Sequence, residues 1–211
     1  MIKNKCQLYL ITPSEIEVRD FCTELVSALQ VGNIACLQLR LKNTPECTMR
    51  KIIEEVLPIT QDYGVPLILN DDPLMALETG CDGVHIGQED TDYVSARKIV
   101  GRDAIVGVTC LGSIDLAMRV AERDADYVAF GAFFPSKTKN SAGKPKLDII
   151  KKWAEITTVP SVAIGGITPQ NCNQLVLAGA DFLAVISAVW EHPKGPAAAV
   201  REFNQVIQNT I

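Results

Sequence analysis

Apolar residues gather in eight short runs along this chain, at 7–11, 35–39, 66–69, 83–86, 105–108, 127–130, 161–164 and 182–186. Each run has the length of a strand and is close to continuously apolar, where a half-buried strand would alternate. The segments between them carry helical periodicity. "EIEVRDFCTELVSALQVG" places Val18, Phe21, Cys22, Leu25 and Leu29 on one face and stops at Gly32. "SIDLAMRVAERDAD" opens on Ser113 as a predicted N-cap. "TPQNCNQLVLAGAD" opens on Thr168 as cap, with Pro169 predicted at the first helical position. Apolar strands alternating with amphipathic helices predict a parallel sheet buried on both faces. Eight such units predict an α/β fold, a single compact (βα)8 TIM barrel spanning residues 1–211 as one domain. A doubly wound open sheet is the alternative. "GCDGVHIG", "DADYVAFG" and "GADFLAVIS" echo one another as a helix-to-strand turn: small residue, Asp, strand.

Composition narrows the partners. At 211 residues and 47% hydrophobic, with mean hydropathy +0.15, the chain can bury a sizeable core. It carries 20 Lys and Arg against 25 Asp and Glu, a net charge of −5, which argues against a nucleic-acid partner. Seven cysteines form no CxxC pair, so a reducing compartment is expected, the cytoplasm by default. The apolar run before Pro13 is too short for a signal h-region or a membrane span, so no membrane partner is expected. The sequence permits a homo-oligomer without specifying one.

In a barrel, chemistry collects where strands end and βα loops begin. Strand two ends in "QLRLK" (Gln38, Leu39, Arg40, Leu41, Lys42), strand three in Asn70, Asp71 and Asp72, and strand four in "HIGQED" with Asp90. Strand five reaches Thr109, and strand six runs into "PSKTKNSAGKPK". Strand seven ends in "IGGIT" and strand eight in Ile186 and Ser187. Gly165 and Gly166 leave backbone amides uncovered before a helix, the usual setting of a phosphate in barrels. The alternative is that they only permit a tight turn. The other side of the mouth is expected to carry both signs of charge, the cations Arg40, Lys42 and Lys139 with the carboxylates Asp71 and Asp90. Mg²⁺ is commonly held by one or two carboxylates with phosphate oxygens. Read singly, all five are solvated surface charges; read together, they predict a metal-chelated diphosphate site opposite a metal-free monophosphate site. His85 is expected to be a packed residue without a catalytic role.

"QLRLK", "NDD", "GVHIGQED", "PSKTK", "AIGGIT" and "VISAV" resemble, in order and spacing, the thiamine-phosphate synthase (thiamine-phosphate pyrophosphorylase) family, and the likeness spans nearly the whole chain. It implies a transferase of thiamine biosynthesis. Such enzymes join a hydroxymethylpyrimidine diphosphate to a thiazole phosphate, or its carboxylated form, releasing pyrophosphate. By motif it implies that Gln38, Leu39, Arg40, Leu41, Lys42, Asn70, Thr109 and Lys139 bind the pyrimidine diphosphate. Lys139, Arg40, Lys42 and Thr109 would act in catalysis, and Asp71 and Asp90 would ligate Mg²⁺. Ser136, Lys137, Thr138, Gly166, Ile186 and Ser187 would bind the thiazole phosphate. The loop carrying Lys139 is expected to be a mobile lid in the absence of ligand.

Two positions depart from the family pattern. Leu41 stands where Glu is usual. Thr109 stands where Ser is usual; it keeps the hydroxyl and adds a methyl. Leu111 occupies the place of a histidine found in a related thiazole tautomerase, which argues against that isomerase, as do Asp71 and Asp90. The alternatives are a thiazole tautomerase-like isomerase or a phosphoribosyl-handling barrel, and a catalytically impaired ligand-binding or regulatory barrel.

Overall fold

The computed structural model describes residues 6–135 and 145–210. Eight strands run in chain order: β1 (Gln7–Ile11), β2 (Ile34–Leu39), β3 (Leu67–Asn70), β4 (Gly83–Ile86), β5 (Ile105–Leu111), β6 (Tyr127–Gly131), β7 (Ser161–Ile164) and β8 (Phe182–Val185). Every neighbouring pair is parallel, and β8 returns to pair with β1, so the sheet closes into a barrel. Helices α1 (Val18–Leu29), α2 (Glu46–Asp62), α3 (Pro73–Thr79), α4 (Tyr93–Val100), α5 (Ile114–Ala121), α6 (Asp148–Ile156) and α7 (Asn173–Ala178) follow successive strands. After β8 come the one-turn α8 (Ser187–Trp190) and the long α9 (Pro196–Thr210). No helix among the described residues is long and apolar enough to cross a membrane.

The continuous apolar runs acquire their meaning here, because each strand feeds two cores. One set of side chains, including Leu8, Leu10, Leu37, Leu39, Val84 and Phe130, packs outward against the helices. The alternate set, Tyr9, Ile11, Cys36, Ile68, Tyr127, Ala129, Val162 and Ala184, fills the barrel interior. A residue buried on either face must be apolar or fully hydrogen-bonded, so the period of two is nearly erased in the sequence.

The repeated Asp of the helix-to-strand turns staples the N-terminal end of the barrel. Asp82 accepts the Leu67 amide at 2.7 Å, Asp126 the Val106 amide at 2.7 Å, and Asp181 the Ser161 amide at 2.8 Å. Each carboxylate thus ties its own strand to the one before it.

Helix starts follow the expected chemistry at Ser113, whose Oγ accepts the Leu116 amide at 3.1 Å. The expectation at Thr168 is corrected: α7 begins at Asn173, behind a turn over 169–172. Asn171 intervenes, its Oδ1 accepting the Thr168 amide at 2.9 Å. β5 extends to Leu111 because Thr109 and Leu111 still pair with β6, across an irregular register.

Candidate active site

At the C-terminal mouth, the strand alternation decides which side chains enter the cavity. On β2 and β3 the inward Gln38 is buried, and its Nε2 donates to Asn70 Oδ1 at 2.7 Å. That bond uses one Gln38 amide hydrogen and the Asn70 carbonyl oxygen. Leu39 points outward and is fully buried against the helices, so only its main chain borders the mouth. Leu41 is half-buried against the same outer core. The Arg40 amide donates to Thr12 Oγ1 at 2.9 Å and the Lys42 amide to the Ser14 carbonyl at 2.9 Å. The backbone that carries both cations is therefore fixed to the end of β1.

Asp71 follows β3 with φ +69°, in the left-handed region, and its amide donates to the His85 carbonyl at 2.8 Å. Asp tolerates this conformation better than most residues. Such backbone outliers cluster at functional sites. The next residue, Asp72, caps α3, its Oδ1 accepting the Met75 amide at 2.9 Å. Asp90 folds back so that Oδ2 accepts the Gly87 amide at 2.7 Å. Among the described residues no group of three or more His, Cys, Asp or Glu could hold a metal ion by itself. Asp71 and Asp90 follow consecutive strands, β3 and β4.

Thr109 ends the inward row of β5, and its Oγ1 lies 2.7 Å from His85 Nε2. His85 Nδ1 lies 2.9 Å from the Tyr127 hydroxyl, which lies 2.7 Å from that of Tyr9. Burial pushes both phenols well above their usual range, so they stay neutral.

Across the mouth, Gly165 has φ +105° and Gly166 φ +62°. A Cβ on Gly166 would sit 2.3 Å from the Pro135 carbonyl oxygen, so nothing larger fits. Asn171 Nδ2 donates to the Gly166 carbonyl at 2.9 Å, which fixes the turn. Ile186 is half-buried beside both cores, and the exposed Ser187 opens α8, which has no side-chain cap.

The structure thus brings Gln38, Arg40, Lys42, Asn70, Asp71, Asp90, Thr109, Gly166, Ile186 and Ser187 to one rim. Ser136, Lys137, Thr138 and Lys139, and with them the lid, lie outside the described residues. Sequence reading missed Asn171, the Thr12 tie and the Tyr9–Tyr127–His85 chain. Extending the period of two through each strand would have placed Tyr9, His85, Tyr127 and Thr109 inside one barrel.

A family model described as thiamine monophosphate synthase matches residues 8–189. The chain is 53% identical over 203 residues to a thiamine-phosphate synthase of Rhodospirillum centenum, covering 96% of this chain and 98% of the relative. It is 43% identical over 210 residues to that of Hyphomonas neptunium, covering 97% and 95%. Among solved structures, the thiamine phosphate pyrophosphorylase from Pyrococcus furiosus superposes with a TM-score of 0.85 at 29% identity, over 100% of both chains. With strand-end motifs, barrel and full-length relatives in agreement, this chain belongs to the thiamine monophosphate synthase family.

Proposed function

We propose that the chain joins a hydroxymethylpyrimidine diphosphate to a thiazole phosphate, giving thiamine phosphate and pyrophosphate. The observation that carries this reading is its identity, end to end, with thiamine-phosphate synthases. The supporting geometry is a mouth with cations and carboxylates on β2–β4 and a side-chain-free turn after β7. Gln38 and Asn70, locked to each other, orient the pyrimidine, and their unused carbonyl and amide groups match a ring bearing both donors and acceptors. Arg40, Lys42 and Lys139 gather round the diphosphate. The Gly166 amide, Ser187 and residues 136–138 hold the monophosphate of the second substrate.

Asp71 and Asp90 suit Mg²⁺ because they offer hard oxygens, too few to complete its shell alone. When bound, Mg²⁺ neutralises charge on the leaving diphosphate. The residues do the rest. The carbon–oxygen bond to the diphosphate breaks and its electron pair leaves with pyrophosphate. The methylene cation that remains is stabilised by the pyrimidine amino group. The thiazole nitrogen, held on the other side by its phosphate, donates its lone pair to that carbon. No base is required, since that nitrogen carries no proton. Fixed cations and donors that match the charge developing on the diphosphate lower the barrier more than they tighten ground-state binding. The exposed Leu111 offers no acid or base at the position a tautomerase would use. The seven free cysteines suit a reducing cytoplasm.

The test is pyrophosphate release with each substrate alone and with both. Release that requires both substrates and Mg²⁺ supports the reading. Binding of both without product identifies a catalytically impaired barrel.

A further inference from the structure

The chain of polar groups inside the barrel has no part in the mechanism above, yet it ends on Thr109, which the family resemblance implies lies at the diphosphate. Tyr9, Tyr127 and His85 are 2, 5 and 8% exposed, so water cannot replace their mutual bonds. Thr109, the outermost member, is half-buried where β5 nears the mouth. The chain is built rather than incidental. His85 pairs in register with Gly107, and Gly107 with Tyr127. A Cβ on Gly107 would lie 1.8 Å from Cζ of the Tyr127 ring. Only glycine there lets the Tyr127 ring cross β5, where it stacks on the His85 ring at 5.6 Å between centroids and 18° between planes.

Each hydroxyl can donate one hydrogen, and a neutral imidazole carries one N–H. The chain can therefore be satisfied throughout in two ways. Pointing outward, Tyr9 donates to Tyr127, Tyr127 to Nδ1, and Nε2–H to Thr109 Oγ1; the Thr109 hydrogen is then aimed into the mouth. Pointing inward, Thr109 donates to Nε2, and only its lone pairs face the ligand. Mixed arrangements with a neutral imidazole place two hydrogens, or none, in one buried link, which is costly where water is absent. A departing diphosphate needs a donor.

We infer that His85 and Tyr127 are positioning residues that hold this chain in its outward direction, so that Thr109 offers its hydroxyl hydrogen to the leaving group. The inference rests on the reading that Thr109 faces the diphosphate. It gives the buried histidine a role without making it an acid or a base.

A double-mutant cycle tests it. Tyr127→Phe keeps the ring and removes the link, and is expected to lower kcat for pyrophosphate release about tenfold, the scale of coupling within one hydrogen-bond network. Thr109→Val should lower kcat ~10²–10³-fold, as for loss of one preorganised donor. In the Thr109→Val background, Tyr127→Phe should cost less than about twofold more, because its route to the substrate is gone. An equal loss in both backgrounds overturns the inference, since a purely structural role would be additive. A second measurement needs no variant. The sequence has two histidines, so nitrogen-15 histidine spectra can resolve His85 with pyrophosphate and Mg²⁺ added. A protonated Nε2 with an accepting Nδ1 is expected; a protonated Nδ1 overturns the chain direction. A wild-type protein that releases no pyrophosphate refutes the functional reading and this inference with it. Wild-type turnover with an additive cycle removes only the inference.

Discussion

Gly166→Ala isolates the close approach on which the proposed monophosphate site depends. Two terms act on the variant. The backbone sits at φ +62°, and a left-handed conformation costs an L-residue roughly 1–2 kcal/mol. The added Cβ would also meet the Pro135 carbonyl oxygen at 2.3 Å and Phe134 Cβ at 2.9 Å. Main chain must shift to relieve that, at about 1–3 kcal/mol, typical of overpacking. The sum is ~2–5 kcal/mol, a fall in Tm on the order of 10 °C for a chain of this size. Gly80→Ala is the control, since Gly80 has φ +74° and nothing within 4 Å of its Cβ position. That variant carries the first term alone. Calorimetry on both, beside the KM of each substrate, separates the effects. Gly166→Ala is expected to lose more stability than Gly80→Ala and to raise KM for thiazole phosphate selectively. Equal Tm losses, with both KM values moving together, would refute the account of this turn.

Asp71→Asn and Asp90→Asn should each reduce turnover far more than thermal stability, and a chelator should abolish activity reversibly; full activity in chelator would remove the metal assignment. Asp82→Ala strips the buried Leu67 amide of its acceptor and should cost ~1–3 kcal/mol in denaturant melts with kcat unchanged, because it lies at the opposite end of the barrel. A kcat loss there would mean that the two ends are coupled. Burial pushes the thiols of Cys6 and Cys110 up to about 12 and that of Cys172 to about 11, whereas Cys47 is exposed. Peptide mapping after brief alkylation should find Cys47 modified first, and prior labelling of Cys6 or Cys110 would contradict the buried placement.

The eight strands were legible because burial on both faces leaves an unmistakable apolar run, and their ends fell within a few residues of those observed. The sequence ends β5 at Thr109, two residues short, since nothing in it shows that Leu111 still pairs with β6 across a shifted register. Periodicity could not tell inward from outward residues where both sets are apolar, so Tyr9 and Tyr127 passed as ordinary core. The start of α7 was misread because Thr-Pro is a strong local signal, while the deciding bond comes from Asn171 three residues on. Asp71 and Asp90 stand out in the sequence by their place after consecutive strands. The left-handed backbone of Asp71 and the fold of Asp90 back onto the Gly87 amide leave no trace in composition.

Anomalous diffraction from crystals grown with Mn²⁺, pyrophosphate and thiamine phosphate tests the proposed division of the barrel mouth most directly. The expected result is one metal peak coordinated by Asp71, Asp90 and pyrophosphate oxygens, with the monophosphate lying on the Gly166 amide at the opposite rim. A metal bound away from both carboxylates, or a monophosphate seated on Arg40 and Lys42, would contradict it.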